Sequence, residues 1–96
     1  MNRFRIALGR EEVFEELWRR RDSRLKDAAG FREFHLLRGP TDETCTLYAS
    51  HTLWDAREAF EAWTNSEAFR AAHAGARAPE GTYLGHPVFE GFDVVL

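Results

Sequence analysis

The residues best suited to chemistry lie near position 70, where a phenylalanine and a histidine stand four positions apart. Phe69 and His73 share one helical face, with Ala72 beside them and Ala68 and Ala71 nearby. Small residues around one imidazole leave room for a large, flat ligand, and neutral imidazole is a common axial ligand of haem iron. One interpretation is therefore that His73 ligates a metal, in particular haem iron. Spacing alone favours the other, a partly exposed histidine in the last turn of a helix, where a cation favours the helix dipole.

Two short helices in series are predicted across residues 54–73, because two start signals lie inside this stretch. Asp55 and Glu58 form a capping box for the first helix. Ser66 follows two other residues that favour turns, and we expect it to cap the second helix. Trp63 ends the first helix, and it is interpreted either as a core residue or as part of a site.

The remaining elements follow from hydrophobic periodicity and turn signals. Phe4, Ile6 and Leu8 alternate with other residues and predict a half-buried strand, whereas an apolar stripe predicts an amphipathic helix over residues 10–26. Further strands are expected from residue 31 to a Gly-Pro turn at 39–42, at 45–53 and at 88–96.

The order of these elements, βαββαβ, is typical of an α+β fold, a ferredoxin-like antiparallel sheet with helices on one face. The other sheet face also carries apolar residues, so we expect it to be covered by a second copy of the chain.

Composition bounds the class of protein. The 96 residues are 44% hydrophobic and 30% charged, which is typical of one globular domain spanning residues 1–96. A formal charge of −3 gives no indication of a basic surface for binding nucleic acid, and no apolar run is long enough for a membrane span. Cys45, the single cysteine, excludes an internal disulfide and a cysteine-based metal site within one chain. We expect a cytoplasmic protein, with Cys45 as a small buried residue.

Several motifs occur in the order typical of a known superfamily. An Asn-Arg pair begins the first strand, Gly30-Phe31 begins the second, and Trp54 ends the third. The pattern A-F-x-x-W-x-x-S-x-x-F-x-x-A-H then runs from Ala59 to His73. On these positions the chain resembles the antibiotic-biosynthesis-monooxygenase (ABM) superfamily of dimeric α+β barrels, and within it the haem-degrading monooxygenases of the IsdG type.

That resemblance implies a working set of Asn2, Trp63 and His73, with Phe69 also contacting haem. His73 would be the proximal iron ligand, and Trp63 would distort the macrocycle. Asn2 would lie on the distal side and hydrogen-bond the oxygen species that attacks the ring. Haem would be both cofactor and substrate, consumed with O2. An external electron donor is then required, either a reductase partner or a small reductant.

Two other functions remain open at this point. The first is a cofactor-independent ABM-type monooxygenase acting on an aromatic, polyketide-like substrate, with His73, His35 or His51 as the base. The second is a non-catalytic dimer that holds haem or another planar ligand. Absorbance in the Soret region on adding haemin distinguishes the first function from those that bind haem. Turnover with a reductant distinguishes haem degradation from the second function.

Other notable residues have structural interpretations. Trp18 and Trp54 are expected in the core or in a dimer interface. His35 and His51 are expected as neighbours on two paired strands, which makes only a weak case for a metal site. The basic run 19–21 is interpreted mainly as a solvated helix face, although guanidinium groups there could pair with haem propionates.

Overall fold

A computed structural model describes residues 1–21, 24–74 and 79–96, apart from the side chains of 72–74. The elements are β1 (Asn2–Ala7), α1 (Glu11–Arg20), β2 (Phe31–Thr41), β3 (Cys45–Trp54), α2 (Arg57–Thr64), α3 (Glu67–Ala74) and β4 (Val88–Phe89), with a 3-10 turn at Leu25–Asp27. None of the described helices is long and apolar enough to cross a membrane.

The strands form one antiparallel sheet in the order β2-β3-β1-β4. This order and the βαββαβ succession confirm the predicted ferredoxin-like α+β fold. Along β1, Phe4 and Ile6 are buried, whereas Arg3 and Arg5 are exposed. The alternation places one sheet face against the helices and leaves the other outside.

The core lies between the sheet and α1. Phe4, Ile6, Phe14 and Tyr48 are buried together. The ring of Phe14 lies 4.9 Å from that of Tyr48 and 5.3 Å from that of Phe4, measured between centroids. Trp18, one helical turn beyond Phe14, packs edge-on against both phenylalanines, with its ring centroid 6.0 Å from that of Phe4 and 6.2 Å from that of Phe14. The core therefore fixes the direction in which the end of α1 points.

A polar contact also fixes α1 on the sheet. The Tyr48 hydroxyl and the Arg38 guanidinium both donate hydrogen bonds to the Glu15 carboxylate. These bonds hold the pKa of Glu15 below its usual value, and burial raises the pKa of Tyr48 to about 12. Glu15 is thus ionised and Tyr48 protonated at neutral pH, which preserves the contact.

The prediction that the first helix runs to residue 26 is wrong, because α1 ends at Arg20. Arg21 has an extended backbone with ψ of 117°, and its N–H closes a tight last turn on the Trp18 carbonyl. The apolar stripe continues to Leu25, but that residue belongs to a separate 3-10 turn. The break moves Arg21 off the helix surface and next to the ring of Trp18.

The predicted turn at residues 39–42 is also misplaced. β2 continues through Gly39 and Pro40 to Thr41, with a register shift against β3 between Arg38 and Thr41. Proline has no backbone N–H, and it is tolerated there because β2 is an edge strand and the register shift leaves this part of the strand without a regular hydrogen bond to β3. The actual turn is held by Asp42, whose carboxylate accepts hydrogen bonds from the backbone N–H groups of Thr44 and Cys45. Cys45 is buried, as predicted.

The last strand is much shorter than predicted. β4 comprises only Val88 and Phe89, and residues 90–96 continue without regular secondary structure. Phe92, Val94 and Val95 in this segment are exposed, the last at 86%. The periodicity that predicted a strand is present, but residues after Phe89 have no strand partner within the described chain.

Candidate functional site

The two helices after β3 are joined at a sharp change of direction. The hydroxyl of Ser66 accepts a hydrogen bond from the N–H of Phe69 at 3.1 Å, which confirms the predicted cap of the second helix. The predicted capping box of the first helix is wrong. α2 begins after Ala56 without a side-chain cap, and the carboxylate of Asp55 instead pairs with Arg32.

Gly30 sets how closely α2 approaches the sheet. Its φ is +80°, and a Cβ there would lie only 2.5 Å from the Cβ of Ala59 in α2. Its carbonyl also accepts a hydrogen bond from the N–H of Asp55 at 2.7 Å. A glycine is therefore required where β2 begins, and it brings the aromatic side chains of α2 over the ends of β2 and β3.

A cavity of about 480 Å³ lies between the sheet, the end of α1 and the two short helices. This volume is within the range of small-molecule sites, about 300–1,000 Å³. Half of its lining residues within the described chain are aromatic, namely Trp18, Phe31, Phe34, Trp54, Phe60, Trp63 and Phe69. Such a lining fits a large, flat, mostly apolar ligand.

Trp63 and Phe69 meet across the change of direction between α2 and α3. Their ring centroids are 5.9 Å apart and the rings are perpendicular. Trp54, at the end of β3, lies 6.2 Å from Trp63 and 6.3 Å from Phe60. Each ring thus supports its neighbour, and the wall formed by the two helices is held in one arrangement.

Asn2 lines the same cavity from the sheet. It is paired with Ser50 of β3 on one side and with Phe89 of β4 on the other. The preceding residue is also tied down, since the N–H of Glu90 donates to the carbonyl of Met1 at 2.7 Å. The backbone of Asn2 is therefore held within the sheet at the cavity.

Arg21 lines this cavity, as do two other charged residues among those described, Lys26 and Glu33. Its guanidinium carbon lies 4.6 Å from the centroid of the Trp18 ring, and its Nε makes no hydrogen bond within the described residues. Burial lowers the pKa of the Arg21 guanidinium. By contrast, Arg19 and Arg20 are exposed and paired with glutamates of α1. The basic run 19–21 therefore divides into two solvated residues and one cavity residue.

His73 lies in α3, four residues after the cavity-lining Phe69, and its side chain is outside the described part of the structure. Residues at this spacing share one face of a helix. His35 and His51 are direct cross-strand partners, as predicted, and they alternate with the residues that face the helices. No cluster of three metal-ligating side chains occurs among the residues whose side chains are described.

Comparison with known proteins identifies the family. Residues 1–75 match the family model described as antibiotic biosynthesis monooxygenase. The chain belongs to this family.

Similar proteins place it among the haem-degrading monooxygenases of that family, which are oxidoreductases. The chain is 36% identical over 97 residues to a heme oxygenase (mycobilin-producing) of Mycobacterium tuberculosis, covering all of this chain and 87% of that protein. It is 35% identical over 65 residues to a heme-degrading monooxygenase of Shouchella clausii, covering 68% of this chain and 60% of that protein.

Solved structures agree with this placement. The heme-degrader MhuD of M. tuberculosis, with two hemes in its active site, matches with a TM-score of 0.71 and 31% identity over 99% of this chain and 93% of that one. A variant of MhuD with two manganese protoporphyrin IX molecules per active site matches with a TM-score of 0.75 and 30% identity, over 99% and 91% of the two chains. The predicted resemblance is confirmed.

Several cavity residues of this ABM chain are missed by sequence reasoning. Trp18 packs against the core, as predicted. It also lines the cavity, as does Trp54, and the indole nitrogens of both make no hydrogen bond within the described residues. Phe31, Phe60 and Ser50 are given no site role at all. The pattern of each element carries no signal for them, since the cavity is lined by residues of seven different elements.

Proposed function

We propose that this chain is a cytoplasmic, homodimeric haem-degrading monooxygenase that binds haem through His73, opens the porphyrin ring and releases iron. The observation that carries the proposal is the aromatic cavity, where Asn2, Trp63 and Phe69 lie around one space and His73 follows Phe69 by one helical turn. O2 and electrons from an external donor are required, since a polypeptide without a redox group cannot supply them.

The lining fits haem in two respects. The aromatic side chains of α2, α3 and the end of β3 offer apolar contacts that suit a porphyrin. Arg21 also offers a desolvated guanidinium with an unpartnered Nε among the described residues, which suits a propionate carboxylate. Haem-binding relatives with about one third identical residues support the same ligand.

Each proposed residue has a distinct task. Haem, once bound, supplies the iron at which dioxygen is activated and the ring that is oxidised. His73 holds the ligand from α3, and Asn2 donates a hydrogen bond from its carboxamide on the sheet side. Trp63, held by Trp54 and Phe69, presses on the plane of the ligand.

Replacing Arg21 should weaken binding of haemin but not of its ester. For Arg21→Gln we expect the Kd for haemin to rise by about tenfold, the loss of one charge-assisted hydrogen bond. Haemin dimethyl ester, which has no carboxylate, should bind the variant and the wild type equally. The measurement is a Soret titration with both ligands.

Arg19→Gln is the matched control for Arg21→Gln, since Arg19 is exposed and paired with Glu15 and Glu16. Its haemin titration should match that of the wild type. If Arg21→Gln bound haemin and the ester with equally reduced affinity, this would contradict a carboxylate contact and indicate a packing effect instead.

A second copy of the chain is the proposed cover for the outer sheet face. An apolar strip on this face comprises Leu37, Leu47, Ala49 and Leu53, which alternate with the residues of β2 and β3 that face the helices. The exposed apolar residues of segment 90–96 lie beyond the edge of β4. A single copy leaves the apolar strip and the apolar residues of segment 90–96 in contact with water, and a dimeric barrel would bury them.

The dimer is tested by a charge on the outer sheet face. Leu37 is 44% exposed, so Leu37→Asp should leave the fold of one copy intact. We expect its dimer dissociation constant to rise by at least about tenfold, because a carboxylate would be desolvated in the interface. Sedimentation equilibrium measures it, with Val13→Asp in α1 as the control. A monomeric wild type, or equal masses for wild type and Leu37→Asp, would contradict the proposed interface.

The function itself is tested with haemin and a reductant. Purified protein is titrated with haemin, and ascorbate is then added under air with catalase present to remove free peroxide. Saturable binding followed by loss of the Soret band supports the proposal. A stable Soret band would indicate a haem-binding dimer without turnover. No saturable binding would contradict the proposal and favour a cofactor-independent monooxygenase.

A further inference from the structure

The short strand β4 connects the strand that carries Asn2 with the helix that carries Trp63. Phe89 of β4 is the cross-strand partner of Asn2, so the two side chains lie on the same face of the sheet. The ring of Phe89 stacks on that of Phe60 in α2, with centroids 5.5 Å apart and an angle of 7° between the planes. Phe60 in turn lines the cavity. At Phe89, β4 therefore contacts the cavity wall formed by α2.

The helix α2 has little other anchorage on the sheet. None of its described residues is buried, whereas α1 is anchored by the buried Phe14. A second contact between α2 and the C-terminal segment is the ion pair of Arg57 with Asp93, at 3.4 Å between nitrogen and oxygen. Both side chains of this pair are exposed, so it contributes little. The position of α2 over the sheet thus depends on a small number of apolar contacts, and the stack of Phe60 on Phe89 is one of them.

The chain next to Phe89 is fixed to the start of β1. The N–H of Glu90 donates to the Met1 carbonyl, and the Met1 amino group donates to the Glu90 carbonyl, each at 2.7 Å. The guanidinium of Arg3 also pairs with the Glu90 carboxylate at 2.6 Å. These contacts fix Phe89 relative to Asn2, so the stack on Phe60 ties α2 to the strand that carries Asn2.

We propose that Phe89 is a positioning residue, which holds α2 against the sheet and so sets the separation of Asn2 and Trp63 across the cavity. This inference rests on the proposed function, in which Asn2 acts from the sheet and Trp63 presses on the ligand. Misplacing a group that acts on a reaction by about 1 Å costs about a hundredfold in rate. Phe89 is not among the described residues that line the cavity, so it acts through α2 and not by touching the ligand.

Phe89→Leu tests the stack, because leucine keeps an apolar side chain but has no ring. Phe89 is 55% exposed, so the fold should be retained. In protein fully loaded with haemin, haem loss should be about tenfold slower than in the wild type, with little change in Kd. Phe89→Tyr retains the ring and should keep the wild-type rate. Phe92→Leu is the matched control, since Phe92 is 71% exposed in the segment that follows β4, and its rate should be that of the wild type.

A Phe60→Leu background shows whether the effect passes through the stack. Phe60→Leu removes the ring on which Phe89 packs. In this background Phe89→Leu should lower the rate no further, because the contact that it removes is already absent. A change that merely weakened the fold would lower the rate in both backgrounds.

The ligand-free protein gives a readout that does not depend on turnover. The chain has three tryptophans, Trp18, Trp54 and Trp63, so isotopic labelling of tryptophan gives three indole N–H signals. Relaxation measurements should find the indole of Trp63 more mobile in Phe89→Leu than in the wild type or in Phe89→Tyr. Trp18, which packs against the core from α1, is the internal reference.

Equal rates for Phe89→Leu and the wild type, a tyrosine variant as slow as the leucine variant, or a further loss in the Phe60→Leu background would overturn the inference. If the wild-type protein does not consume haem, the proposed function fails. The relaxation measurements on ligand-free protein still decide whether Phe89 holds α2 in place, so the two failures are distinguishable.

Discussion

His73→Ala should lower the affinity for haemin by about a hundredfold or more. Loss of a residue that merely supports a metal ligand costs about 10–100-fold in affinity, and loss of the ligand itself should cost at least as much. The Soret band of any remaining complex should shift, because the iron loses its imidazole. The measurement is a haemin titration followed by absorbance, with added imidazole expected to restore part of the wild-type spectrum.

His51→Ala is the matched control for that substitution. His51 pairs with His35 across β2 and β3 and alternates with the strand residues that line the cavity. Its removal should leave both affinity and spectrum unchanged. Wild-type binding by His73→Ala, or loss of binding in His51→Ala, would contradict the assignment of the iron ligand.

Asn2→Ala should slow haem loss by about a hundredfold and leave haemin affinity almost unchanged. A preorganised hydrogen-bond donor that meets charge developing in a reaction contributes about 10²–10³ in rate, whereas it adds little to binding of the substrate. The sheet should tolerate the change, because β1 pairs with both neighbours through its backbone. Rates are measured as Soret loss with ascorbate and catalase.

Asn65→Ala controls for the loss of an asparagine elsewhere. Its amide caps the end of α2 by donating to the Glu61 carbonyl, away from the described lining of the cavity. The rate should remain that of the wild type. A fall in affinity as large as the fall in rate for Asn2→Ala would show that Asn2 binds haem uniformly and does not serve the reaction.

The fold was predictable because the periodic signals that encode it are local. Alternation in β1 and the cap at Ser66 both depend on neighbours in sequence, and both are confirmed. Asp55 was misread for a tertiary reason, since Arg32 lies close enough to pair with its carboxylate. The last strand was overextended because its pattern is apolar but pairing requires a partner, which the described chain provides only as far as Phe89.

The cavity was less predictable, since it depends on which residues of distant elements face one another. The family resemblance predicted that Asn2, Trp63 and Phe69 belong to one site, and all three line the cavity, but their roles stay predictions. Arg21 enters the cavity because α1 ends early, and Ser50 because the register aligns it with Asn2. In the neighbouring pair, the bulge near Gly39 shifts the register of β2 against β3 by an amount that turn residues alone do not specify.

The most direct test of haem degradation is the mass of the product formed under isotopically labelled dioxygen. Protein loaded with haemin is given ascorbate in the presence of catalase and an iron chelator, and the tetrapyrrole is extracted and analysed by mass spectrometry. We expect a ring-opened tetrapyrrole that carries label from dioxygen, together with chelated iron. Recovery of intact haem, or of a product whose formation stops when catalase is present, would contradict the account.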